Sequence, residues 1–175
     1  MRVQKRLWLS LLVVLASAGT GALTVSGAEA ARSVRAVDGR TAMASVADFD
    51  SRLFARTNAR RARHGCRPLR LDASLVTAAE QHGLRMVAER DLSHQLPGEL
   101  SIQGRAVAAG YTRWRILAEN LAWGQTTPAE VFRDWVRSPE HRANLDNCRL
   151  RDVGISTILA AGRPWVTEDF GRRYR

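Results

Sequence analysis

Three side chains that could carry out chemistry lie far apart in this sequence: His94, Glu119 and His141. Two imidazoles beside a carboxylate can bind a divalent cation, with zinc favoured by nitrogen ligands, or can act as a general acid and base. No pair of the three lies within one helical turn, so only the fold could bring them together. Each could instead be an ordinary capping, surface or structural residue, and spacing alone does not decide.

Glu119 stands in the largely apolar stretch of residues 117–124. If that stretch is extended, alternate side chains share a face, and Glu119 then lies beside Leu117, Leu121 and Trp123. A carboxylate in such a place pays a large desolvation cost unless it is paired. Glu119 is therefore either a structural acceptor for loop hydrogen bonds or a carboxylate that lines a cavity.

His141 lies in the first turn of a predicted helix, with Ser138 as its N-cap and Pro139 at the first helical position. The positive end of the helix dipole disfavours a second positive charge, which favours the neutral imidazole that binds metals or acts as a base. A capping or surface histidine is the alternative interpretation.

The elements that must position these residues are predicted from apolar periodicity, caps and turns. Helices are expected from Ala44 to Gly65, from the N-cap Asp72 to about Arg90, over Ser101–Ala109 and from Thr127 onward; extended segments are expected over residues 113–123 and, around a turn at 161–164, over 153–170. No βαβ rhythm links them, so an α+β domain with a small antiparallel sheet is predicted.

Polar residues on the first two helices lead to simpler expectations. Four arginines of the first helix are expected to form its solvated face: Arg56, Arg60, Arg61 and Arg63. His82 interrupts the apolar stripe of the second helix and is expected to be a hydrogen-bonded core or boundary residue.

The N-terminal segment, residues 1–30, has the layout of a secretory signal peptide. A basic start with Arg2, Lys5 and Arg6 precedes an apolar run over residues 7–18, and Ala28-Glu29-Ala30 offers a cleavage site. An uncleaved anchor is the alternative, although the run is shorter than the roughly 20 residues that span a bilayer. We expect a flexible leader over residues 31–45 and a secreted domain over residues 46–175.

The formal net charge of +10 restricts the class of partner. An exported chain without a nucleic-acid motif is not expected to bind nucleic acid. An acidic cell-envelope polymer or a lipid fits the predicted compartment better, and a monomer is expected.

Cys66 and Cys148 are the only two cysteines in the chain. In an oxidising compartment an isolated pair is usually a disulfide, and two buried free thiols are the alternative.

A series of motifs resembles the CAP superfamily, which includes cysteine-rich secretory proteins, antigen 5 and the plant pathogenesis-related 1 proteins. The likeness runs from about residue 49 to 171 and is closest to the short bacterial, YkwD-like branch. Its motifs include Ser93-His94, Ala118-Glu119-Asn120-Leu121-Ala122, Ser138-Pro139-Glu140-His141-Arg142 and the final WVTEDFG at residues 165–171.

The resemblance implies a three-layer α-β-α sandwich with a central cavity that two histidines and two acids line in many members. By motif, His94 and His141 match the histidines and Glu119 the first acid. The second acid is missing from its usual place shortly after the aligned Trp135, and Glu140 is the nearest substitute.

Two imidazoles are too few for a tight structural zinc site, so His94 and His141 are expected to bind zinc weakly, if at all, in an open site. The first functional hypothesis is a secreted, cell-surface binding module that uses this cavity. The alternative is a weakly zinc-dependent hydrolase with Glu119 as base, and a third is a passive, disulfide-stabilised domain. No specific reaction follows from the resemblance.

Overall fold

The structure, a computed structural model, describes the backbone of residues 27–174 and the side chains of residues 45–174. The predicted signal peptide therefore lies almost wholly outside the described residues. Residues 31–45, the predicted leader, have helical backbone. The predicted boundary between this leader and the domain that begins at residue 46 stays a prediction. No helix in the described part of the chain combines the length and the apolar character that a membrane span needs.

Five helices and four strands follow one another along the described chain. They are α1 (Gly27–Arg63), β1 (Arg70–Leu71), α2 (Ala73–Glu89), α3 (Ile102–Ala108), β2 (Trp114–Trp123), α4 (Pro128–Arg137), α5 (Pro139–Leu145), β3 (Asp152–Ala160) and β4 (Arg163–Arg173). The predicted α+β class is confirmed, and the predicted elements from residue 46 onward fall close to these bounds.

Local side-chain chemistry fixes the starts of three helices. The Asp72 carboxylate accepts the backbone N–H groups of Ser74 and Leu75 at 2.9 and 3.3 Å, which caps α2. Thr127 and Glu130 form a capping box at α4. Ser138 caps α5, which places His141 in its first turn as predicted.

The strands form one sheet in the order β1-β3-β4-β2. The three long strands, β2, β3 and β4, pair antiparallel as predicted, but the two-residue strand β1 runs parallel to β3, so the sheet is mixed. The whole segment from α2 to α5 separates β1 from β3, and such a long crossover permits parallel pairing.

Helices cover both faces of the sheet and give three layers. On one face α2 approaches so closely that a Cβ on Gly154 would lie 2.1 Å from the backbone of Leu75. On the other face Leu53 of α1 and Trp135 of α4 join Phe170 of β4 in the main apolar cluster. The predicted α-β-α sandwich is confirmed, and β2 is left at an edge.

The arginines of α1 correct the expectation of a solvated face. Arg61 is fully buried, and its Nη1 donates to the carbonyl oxygens of Leu145 and Asn147, both at 3.0 Å. Arg60 donates to both carboxylate oxygens of Asp146 at 2.6 Å. These two arginines hold α1 against the end of α5, because unpaired carbonyls there need donors that the backbone cannot supply.

The predicted disulfide is confirmed. Cys66, after α1, is bonded to Cys148, after α5, with their Cα atoms 4.8 Å apart. The bond joins the same two parts of the chain that Arg60 and Arg61 connect. The end of α5 is therefore attached to the end of α1 by a covalent bond as well as by hydrogen bonds.

Candidate functional site

The fold brings His94, Glu119 and His141 together at the open edge of the sheet. His94 lies in the loop after α2, Glu119 in the middle of β2 and His141 in the first turn of α5. Nδ1 of His94 lies 2.7 Å from Oε1 of Glu119. The ring centroids of His94 and His141 are 6.5 Å apart. The tertiary fold thus brings together His94 and Glu119, which lie 25 residues apart in the sequence.

Two asparagines attach α5 to β2 and so set the place of His141. Asn120 donates to the backbone carbonyl of His141 at 3.3 Å. Asn144 donates to the Asn120 side chain at 2.9 Å and to the backbone carbonyl of Glu119 at 3.2 Å. The sequence analysis assigned neither residue a role, although Asn120 belongs to the motif that carries Glu119 and Asn144 follows His141 by three residues.

Glu119 is held as a carboxylate by two partners. Its side chain is 4% exposed, and Oε2 accepts a hydrogen bond from Nη2 of Arg105 at 2.6 Å while Oε1 faces His94. Burial alone would raise the pKa of Glu119, but the hydrogen bond with His94 and the charge of Arg105 outweigh it and leave the pKa below its usual value. Both oxygens of the carboxylate are therefore already engaged.

Arg105 connects Glu119 to a second buried carboxylate. Its Nη1 lies 3.4 Å from Oε2 of Glu99. His82, fully buried as predicted for a core histidine, lies with Nδ1 2.9 Å from Oε1 of Glu99 and with Nε2 3.7 Å from Oε2 of Glu119. Sequence reasoning missed Arg105 and Glu99; the one available signal was that Arg105 lies on the same side of α3 as the apolar Ile102 and Ala106.

Asp169 is a further acid that the sequence analysis missed. It is the direct cross-strand partner of Glu119 and is 2% exposed. Burial, together with the neighbouring negative charge of Glu119, raises the pKa of Asp169 well above its usual value. The second acid beside Glu119 is therefore Asp169 of β4, whose surroundings favour its neutral form.

Glu140, the predicted substitute for the second acid, lies in the first turn of α5. It is exposed, and it makes no hydrogen bond or ion pair with His94, Glu119 or His141 in the described part of the chain. Its charge still acts at a distance and favours the protonated form of both histidines. No contact among the described residues therefore supports its predicted role as the second acid.

The two histidines differ in their ease of protonation. The hydrogen bond with Glu119 raises the pKa of His94 despite partial burial. Burial and the nearby positive charge of His94 lower the pKa of His141. As the pH falls, His94 therefore becomes charged first while His141 stays neutral, and the pair can donate and accept hydrogen bonds at the same time.

Within the described cluster, the two imidazoles are the side chains that could bind a metal ion. Because Nδ1 of His94 faces Glu119, its Nε2 remains as a donor atom, in the arrangement by which a carboxylate commonly orients a metal-binding histidine. No group of three or more His, Cys, Asp or Glu side chains suited to a metal ion occurs among the described residues. His94 and His141 fit at most a weakly held zinc ion whose other ligands come from solvent or from a bound molecule.

Comparison with known proteins agrees with this fold. The profile of the cysteine-rich secretory protein family, CAP, matches residues 54–167, which is more than half of the chain. The Bacillus subtilis protein YkwD, described as uncharacterised, is 29% identical over 132 residues, which cover 75% of this chain and 51% of YkwD. The chain thus spans about half the length of that relative.

Two solved structures share the fold at low sequence identity. An outer surface protein of Borrelia burgdorferi superposes with a TM-score of 0.68 at 20% identity and covers 73% of this chain and 94% of its own. An extracellular protein of Bacillus anthracis that contains an SCP domain superposes with a TM-score of 0.67 at 23% identity, over 73% of this chain and 41% of its own.

Proposed function

Because this chain belongs to the cysteine-rich secretory protein (CAP) family, we propose that it is an extracellular binding module whose ligand contacts His94 and His141. The main support for the proposal is the difference in solvent exposure between His94 and Glu119. The His94 side chain is 59% exposed, whereas the Glu119 carboxylate that orients it is 4% exposed. A rigid, buried support beneath an accessible imidazole is the arrangement that a binding site needs.

The two histidines suit a ligand with a polar or anionic group. A protonated His94 donates a charge-assisted hydrogen bond, and a neutral His141 6.5 Å away can donate one and accept one. Lipid headgroups and acidic cell-envelope polymers both present such groups, and both are proposed partners. A cavity lined by His94, Glu119 and His141, open to solvent, remains part of the proposal.

A zinc-dependent hydrolase at the same residues is the weaker alternative. The orientation of His94 by Glu119 favours it, since Nε2 is left free for a metal. Glu119 is a poor general base, however, because both its oxygens already accept hydrogen bonds and its pKa is lowered. The support is therefore stronger for binding than for turnover.

Secretion is part of the proposal and has two supports. The basic, then apolar N-terminal segment has the layout of an export signal, and the disulfide between Cys66 and Cys148 is typical of oxidising compartments. Protein recovered from culture medium should begin near Ala31, as read by mass spectrometry. Recovery of only the full-length chain in the membrane fraction would contradict the proposed cleavage.

Co-sedimentation tests the proposed binding function. Purified cell-wall sacculi and vesicles of phosphatidylglycerol serve as separate probes, with the His94→Ala/His141→Ala protein as the test variant. His64→Ala is the matched control, because His64 is a partly exposed histidine beside Asp146 and outside the cluster.

Wild type and the His64 control should bind one of the two probes, and the double variant should lose most of that binding. Equal binding by all three proteins would contradict the proposal. If the wild type binds neither probe but hydrolyses an ester in a zinc- and His94-dependent manner, the hydrolase alternative is correct.

A further inference from the structure

A second concave site lies away from the histidine cluster, where β1, the start of β3 and the end of β4 meet. Its volume is about 560 Å³, within the range of ligand pockets. Five arginines from three separate parts of the chain line it: Arg67, Arg70, Arg151, Arg172 and Arg173. β1 is the edge strand opposite to β2, so this site and the histidine cluster lie at different edges of the sheet.

The carboxylates in this pocket are too few to balance the arginines. Among the residues whose side chains the structure describes, two carboxylates line it, those of Asp72 and Asp152. Asp72 contacts Arg173 at 3.1 Å and also caps α2, and Asp152 contacts Arg70 at 3.1 Å and accepts the Tyr111 hydroxyl at 2.9 Å. Among the described lining residues guanidinium groups therefore outnumber carboxylates within one concave surface, where field lines are focused and an anion is favoured.

Several of these guanidinium groups are held in place before any ligand arrives. Arg173 lies over the Tyr111 ring at 4.2 Å from its centroid. Arg151 donates to the carbonyl oxygens of Cys148 and Leu150. A guanidinium carries five N–H donors in a fixed fork, so such anchoring leaves Arg173 with donors for a ligand and reduces the entropy lost on binding.

From this excess of oriented arginines we infer that the pocket binds an oligomeric oxyanion, through two or more neighbouring phosphate or carboxylate groups. Arginine matches both groups by paired N–H···O contacts. A pocket of this volume that is lined by five guanidinium groups favours several linked charges over a single ion. The site is independent of the proposed function at His94 and His141.

Isothermal titration of the purified protein tests the inference with two probes, sodium tripolyphosphate and trigalacturonate, which separate phosphate from carboxylate recognition. The test variant is Arg67→Ser/Arg172→Ser. Arg67 is exposed, and the Arg172 side chain makes a single long contact, 3.4 Å from the Arg149 carbonyl, so the fold should tolerate both changes. The matched control is Arg133→Ser/Arg137→Ser, which removes the same charge from α4.

The wild type should bind at least one probe at a single site, with an affinity that falls as salt is raised. The test variant should bind about tenfold more weakly because charge-assisted contacts are lost, and the control within about twofold of wild type because remote surface charges act weakly. The His94→Ala/His141→Ala protein should bind as wild type, which separates this inference from the proposed function. Absence of saturable binding to both probes, or equal weakening in test and control variants, would overturn the inference.

Discussion

Replacement of Arg105 by methionine tests the buried support of the candidate site. Arg105 and Glu119 are each 4% exposed and lie 2.6 Å apart, so solvent does not screen their interaction appreciably. Removal of one partner from a buried ion pair typically costs about 3–5 kcal/mol, since the other charge is left uncompensated. His94 still contacts Glu119, so we expect a loss of unfolding free energy near the lower end, about 3 kcal/mol at pH 7.5.

The pH dependence of that loss identifies its cause. In the wild type, burial opposes ionisation of Glu119 but His94 and Arg105 prevail, so its folded pKa is lowered. Such a group contributes stability above its unfolded pKa of about 4.3, and the contribution is lost as pH falls through the folded pKa. Without Arg105, burial should raise the pKa of Glu119 above its unfolded value, and the variant should then lose stability as pH rises.

Urea unfolding followed by tryptophan fluorescence at pH 7.5 and pH 4 measures the effect. The difference between wild type and Arg105→Met should be largest at pH 7.5 and should shrink by about 1.4 kcal/mol for each unit of pKa change in Glu119. Glu119→Gln in the Arg105→Met background should restore part of the loss, because the uncompensated charge is gone. Equal losses of unfolding free energy at both pH values, with no rescue by Glu119→Gln, would refute the reasoning. The control is Arg56→Met, at an exposed position, whose unfolding free energy should lie within about 0.5 kcal/mol of wild type.

Three further predictions concern packing, the disulfide and zinc. Gly154→Ala should destabilise the protein by about 1–3 kcal/mol in urea unfolding, because its Cβ would meet the backbone of α2 at 2.1 Å; an unchanged midpoint would contradict the close packing. Reduction of Cys66–Cys148 should lower the melting temperature, with a loss of up to about 4–5 kcal/mol in the chain-entropy model; native protein with two alkylatable thiols would show that the bond is absent. Zinc should raise the melting temperature of wild type and of His64→Ala but not of His141→Ala, and the effect should vanish as the imidazoles protonate in acid; the same response in all three proteins would place the ion elsewhere.

Sequence reasoning succeeded where the cause of a structure is local. Asp72, Thr127 and Ser138 begin helices because each side chain reaches backbone N–H groups two or three residues ahead. The extended pattern around Glu119 depends likewise on neighbouring residues. The motif order then placed both histidines near Glu119 through the family resemblance, which spacing alone could not have done.

Sequence reasoning failed where a polar side chain is satisfied from distant parts of the chain. Arg61 is buried because carbonyls near residues 145–150 accept from it, 84 to 89 residues away. Arg105 and Asp169 belong to the cluster because β2, β4 and α3 meet there. Asp169 has no local signature of burial, and the apolar neighbours of Arg105 on α3 do not reveal its partner. The parallel pairing of β1 with β3 likewise depends on the long segment from α2 to α5 that connects them. The two residues of β1 alone could not indicate this pairing.

The central claim is that Glu119 orients an accessible His94 beside a neutral His141, and histidine titration by NMR tests it most directly. In the wild type, His94 should titrate above the ordinary histidine value of about 6.5 and His141 below it, as the Glu119 contact and the burial of His141 require. Glu119→Gln should lower the pKa of His94, because the carboxylate that stabilises its charged form is gone. If His94 titrates at or below His141, or if Glu119→Gln leaves its pKa unchanged, the proposed cluster does not exist in solution.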